Sequence, residues 1–89
     1  MTDYCLKNAD EAEFNKAMLA CGLCVEQDGE VVPASYEVLI DRIGPITVGE
    51  VTYPEYYTNM RLLVAPTENQ EETLQKYAID PSQPQYRVW

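Results

Sequence analysis

The chain has 89 residues, enough for one domain spanning 1–89, and a domain of that size buries only about 60–65% of the surface its unfolded chain exposes. Fifteen acidic against six basic residues give a net charge of -9 at pH 7, which repels DNA, RNA and anionic lipid and removes the electrostatic attraction behind most nucleic-acid binding. No run of about 18 apolar residues is present, and Met1-Thr2-Asp3-Tyr4-Cys5 lacks the basic and apolar regions of a secretory signal. The expectation is a soluble protein of a reducing cytoplasm, with neither nucleic acid nor membrane as partner.

Taken in order, Tyr4-Cys5-Leu6 predicts a short first strand. Asn8, with Glu11 three residues on, has the spacing of a capping box and predicts a helix from about Ala9 to Cys21. Phe14, Ala17, Met18 and Cys21 fall at i, i+3, i+4 and i+7 and form its apolar stripe, and Gly22 suits the left-handed residue that ends it. Leu23-Cys24-Val25 and Val31-Val32 flank Asp28-Gly29, a hairpin signal, and Pro33 makes this a small edge element.

Residues 36–43 and 56–64 alternate with period two and read as the central strands of a sheet. Tyr36, Val38 and Ile40 share one face of the first; Tyr56, Met60, Leu62 and Val64 share one face of the second. With those faces buried, Asp41 and Arg61 point outward and form a cross-strand pair. Between them, Gly44-Pro45 marks a bend or bulge, followed by short strand pieces broken at Gly49. Tyr53, Tyr56 and Tyr57 gather on this connection, either as a contact surface or as a wrap over the end of the core.

Thr67 and Gln70 predict the capping box of a second helix, with Leu74, Tyr77 and Ala78 as its apolar stripe. Asp80-Pro81 ends it, and Tyr86 to Trp89 reads as a last strand with Arg87 and Trp89 on one side. The whole is an α+β layout: a small, mostly antiparallel sheet with two helices packed on one face.

The chemistry available is narrow. The chain has no histidine, which removes the usual general base, the common catalytic dyads and the imidazole metal ligand, and its four glycines are too scattered for a phosphate loop. Cys21-Gly22-Leu23-Cys24 has redox spacing, but at the wrong end of its helix, where the dipole disfavours a thiolate; as a zinc half-site it has only Cys5 to add. Three cysteines also argue against a closed disulfide framework, so all three read first as small buried hydrophobes. No catalytic residue, cofactor or metal is assigned.

Several short patterns stand in a fixed order. These are Tyr4-x-Leu6 leading into Asn8-Ala9-Asp10-Glu11-Ala12, Asp41-x-Ile43-Gly44-x-Ile46, Asn59-Met60-Arg61, and Pro81-x-x-Pro84 running to Arg87-Val88-Trp89. Together they resemble small proteins encoded among the tail and tail-fibre genes of tailed bacteriophages and prophages. The resemblance implies a non-enzymatic phage protein that docks on a tail or tail-fibre protein. It would act in the host cytoplasm during assembly or in the finished virion, with a homo-oligomer compatible with either. It also implies that Asp41, Gly44, Asn59 and Arg61 hold the sheet and its bend, and that the Ile46 to Tyr57 connection is the partner-specific loop. The candidate protein-binding residues are Tyr53, Tyr56, Tyr57, Arg87 and Trp89. The net charge motivates an alternative, an acidic phage inhibitor that blocks a host nucleic-acid-processing enzyme by occupying its basic groove.

Overall fold

The computed structural model describes residues 1–79, with Val48 described through its backbone alone. Seven elements follow in order: β1 (Thr2–Asn8), α1 (Glu11–Cys21), β2 (Cys24–Gln27), β3 (Glu30–Pro33), β4 (Val38–Val48), β5 (Val51–Leu62) and α2 (Glu68–Tyr77). The strands β1, β5 and β4 make an antiparallel sheet with β5 in the middle, while β2 and β3 pair as a separate ribbon. The fold is α+β.

The alternation of the strands decides where the helices go. Tyr4 and Leu6 on β1, Val38 on β4, and Met60 and Leu62 on β5 point to one side, where they meet Phe14, Ala17, Met18 and Cys21 of α1 and Leu74 of α2. Leu6, Phe14, Met18, Met60 and Leu74 are each 0% exposed. Burying one such side chain contributes about 1.5–3 kcal/mol, so this single cluster carries the fold.

Helix ends follow local hydrogen-bonding chemistry. The first cap is Asp10, not Asn8: Asp10 accepts the Glu13 amide at 2.8 Å, and the Glu13 carboxylate accepts the Ala9 amide at 3.0 Å. Asn8 is unavailable because it is the last residue of β1, paired with Tyr56 and 2% exposed. Gly22 closes the helix with φ of 84°. In α2 the box of Thr67 and Gln70 forms as the spacing predicts. Ala78 falls outside the helix, where it bridges Leu6 at the outer edge of β1.

The Asp28-Gly29 turn joins β2 to β3, both residues adopting positive φ, of 52° and 82°. The larger departure lies in β4 and β5. The connection is no broken loop but a continuation of both strands into one long hairpin, closed at Gly49-Glu50 by the pair Val48 and Val51. Gly49, with φ of 64°, supplies the left-handed first position of that turn. The bend expected at Gly44-Pro45 is a pair of register shifts, between Arg42 and Gly44 and between Gly44 and Ile46, with Gly44 at φ of 79°. Pro54 sits inside β5 in the stretch that β1 does not reach, where a missing N–H costs no ladder bond on the free side.

Three further expectations change. Tyr36 lies in the turn before β4 and is 83% exposed, and Val64 lies beyond β5 and is 49% exposed. Arg61 pairs with Asp3, directly opposite on β1, at 2.7 Å and 3.0 Å, while Asp41 stands opposite Asn59. The cause is strand order: with β5 central, Arg61 has a neighbour on each side, and β1 offers the carboxylate in register. The predicted strand at Tyr86 to Trp89 lies outside the described residues. Among those described, no helix is long and apolar enough to cross a membrane.

Candidate functional site: a projecting hairpin arm and its polar root

β1 pairs with β5 only as far as Asn8 opposite Tyr56. From Glu55 back to Val51, therefore, β5 has β4 as its sole described partner, and the end of the hairpin stands out from the sheet as a two-stranded arm. Its cross-strand pairs are Ile46 with Tyr53, Thr47 with Thr52 and Val48 with Val51. Ile46 is buried and Tyr53 half-buried, but Thr47 and Thr52 are exposed and Val51 is 54% exposed. A lone two-stranded ribbon is marginal in water, so the arm leans on its root for stability.

That root is polar and centred on Arg42. Its Nη1 donates to Asn15 Oδ1 at 2.9 Å, Tyr56 Oη at 3.3 Å and Glu11 Oε2 at 3.4 Å; Nη2 donates to the Val31 carbonyl at 3.0 Å. The guanidinium also sits 5.1 Å from the centroid of the Phe14 ring. One side chain thereby ties α1, β3 and β5 to β4. Glu11 and Asn15, four residues apart on α1, face it together. Nothing in the sequence identifies Arg42 as this hub, because its partners come from three separate segments.

The three tyrosines of the connection are divided by the strand. Tyr56 turns toward the helices, packs 5.9 Å from Phe14 between centroids and donates its hydroxyl to Glu11 at 3.0 Å. Burial raises its pKa, with Arg42 opposing and Glu11 reinforcing that shift. Tyr57 turns to the opposite side and is 4% exposed; burial and then the neighbouring Glu55 and Tyr53 raise its pKa. Tyr53 and Tyr56 are both half-buried, and of the two Tyr53 lies on the arm. Arg87 and Trp89 lie outside the described residues.

Of the positions carried by the resemblance, Gly44 forms the bulge and Asp41 faces Asn59. Asn59 is 1% exposed, on the side of the sheet away from both described helices, and among the described residues neither end of its amide has a partner.

The cysteines are thiols. Cys21 donates to the Met18 carbonyl at 3.6 Å, and burial pushes Cys24 up to about 11, against the lowering effect of Arg42. At neutral pH that thiol is protonated and a poor nucleophile. Among the described residues no three His, Cys, Asp or Glu side chains are grouped so as to hold a metal ion. No protein-family model, curated protein or solved structure matches this chain.

Proposed function

We propose that this chain is a non-enzymatic docking protein of a tailed bacteriophage or prophage, acting in tail structure or assembly, and that the hairpin arm carries the contact. The observation behind this reading is the overhang of β4 and β5 past the end of β1, which presents Thr47, Val51, Thr52 and Tyr53 on a ribbon that the core does not need. The ordered sequence patterns supply the phage and tail context. Tyr56 and Tyr57 serve as anchors that set the direction of the arm, with Tyr53 the aromatic contact. A partner would meet small and aromatic surface there, with the exposed Glu50 carboxylate at the turn, and aromatic contact adds area at low entropy cost.

Co-expression with neighbouring tail and tail-fibre proteins tests the reading. A stable complex is expected with one of them, and the double change Val51→Asp and Tyr53→Ser should abolish it while circular dichroism and the unfolding midpoint stay unchanged. Failure to form any complex, together with normal tails after deletion of the gene, would refute it. A complex with a basic nucleic-acid-processing enzyme that dissociates at high salt would replace it with the inhibitor reading.

A further inference from the structure

We propose that the chain associates with copies of itself, the acidic tip of the β2–β3 hairpin of one copy seating between the two helices of another. The receiving site is a groove of ≈ 400 Å³ between α1 and α2, with Ala17 and Ala20 among its lining, Lys16 and Lys76 contributed by the two helices, and Thr73 and Tyr77 beside them. That volume falls in the range of about 300–1,000 Å³ typical of ligand clefts.

Charge singles this groove out. The whole chain has six basic residues, of which Arg42 and Arg61 are held in ion pairs with Glu11 and Asp3. Lys16 and Lys76 are exposed and have no ion pair among the described residues, yet both converge on this one hollow. Glu13, the carboxylate at the rim, is already committed: it accepts the Ala9 amide at 3.0 Å and the Asn8 side-chain amide at 3.3 Å. The groove lining thus carries two ammonium groups against one carboxylate, a local positive excess in an acidic molecule.

The complement is on the same chain. Glu26, Asp28 and Glu30 cluster at the β2–β3 tip, every residue from Val25 to Glu30 is exposed, and none of the three carboxylates is in an ion pair among the described residues. The tight Asp28-Gly29 turn makes the tip narrow and presents the acids on a preformed shape. Two like-charged molecules repel over long distances. At physiological ionic strength, however, the Debye length is about 8 Å, so the local match at the contact outweighs distant charge.

Glu11 and Asn15 line a hollow shared with Gly29 and Glu30, so that flank of α1 faces the hairpin. Ala20 lines the groove toward α2, and it stands nine residues after Glu11, about two and a half helical turns away. Hairpin and groove therefore occupy opposite flanks of α1. The contact joins two different surfaces of the chain: repeated in one direction it yields a ring or a filament, and made reciprocally between two copies it closes a two-fold dimer. This inference is independent of the hairpin arm.

Sedimentation equilibrium in about 0.15 M salt over a range of concentrations is the test. The parent should associate in a concentration-dependent way. The variants K16E/K76E and E26K/D28K/E30K, each folded by circular dichroism, should each weaken association at least tenfold, and an equimolar mixture of the two should restore it as an alternating assembly. A parent that stays monomeric throughout, variants that associate as strongly as the parent, or a mixture of folded variants that remains monomeric would each overturn the proposal. A monomeric parent that nevertheless binds an oligoglutamate peptide through Lys16 and Lys76 would overturn it in favour of a foreign acidic partner.

Discussion

Along β4 and β5 the side chains pass from full burial to open solvent within one hairpin. Met60 and Leu62 are 0% and 2% exposed beneath the helices, whereas Val51 at the far end is 54% exposed. The body of the sheet has three strands and a helical layer over it; the arm has two strands and no described layer. Residues of the body are therefore constrained by packing density, where losing a few methylene groups is felt, while residues of the arm answer mainly to whatever meets them. The contrast separates the part of the chain that makes the fold from the part free to carry a contact.

The largest effect is expected in the body. Phe14→Ala removes a 0% exposed ring that touches both Tyr56 and Arg42, and should cost about 3–5 kcal/mol in urea unfolding, close to the whole stability of a domain this size. Arg42→Ala attacks the joint between body and arm. It leaves the Val31 carbonyl, Asn15 and Tyr56 without their donor, and should cost about 1–3 kcal/mol while raising proteolysis of the β2–β3 hairpin selectively.

Alkaline pH probes the body through Tyr4. Burial first, then its hydrogen bond to Glu71 at 2.8 Å and that carboxylate's charge, push the Tyr4 pKa from 10.0 up to about 12. The folded state thus holds this proton more tightly than the unfolded chain. Its contribution is fully present below pH 10.0 and is lost as pH rises toward 12. Unfolding free energies measured across that window should fall, and Tyr4→Phe should flatten the fall without abolishing it, because the pKa values of Tyr56 and Tyr57 are raised as well. A smaller effect of opposite sign is expected at Asn59. Replacing its buried amide, which has no hydrogen-bond partner among the described residues, with leucine should leave stability unchanged or raise it by up to about 1 kcal/mol.

The body was legible in the sequence where local rules and tertiary packing agree. The stripe of Phe14, Ala17, Met18 and Cys21, the Gly22 stop, the Thr67 cap and the Asp28-Gly29 turn each depend on residues a few positions apart. Where β-branched and aromatic residues simply continue, as from Ile46 to Tyr57, alternation does not distinguish broken pieces from one long ribbon, because on the arm only Ile46 is buried while Thr47, Val51 and Thr52 are exposed, too little burial to impose a pattern. The Asp41 and Arg61 pair failed for a non-local reason: the order of strands placed Asp3 beside Arg61. The Arg42 hub and the Lys16 and Lys76 groove depend on elements far apart in the chain, and neither leaves a local signature.

Native-state amide hydrogen exchange, resolved by residue, tests the separation of arm from body most directly. Amides of the arm tip, Thr47 to Thr52, should exchange through local opening at a small fraction of the global unfolding free energy, while those of Thr58 and Met60 should exchange only when the whole molecule unfolds. Equal protection at the tip and at Met60 would show that the arm is part of the folding core and would contradict the account.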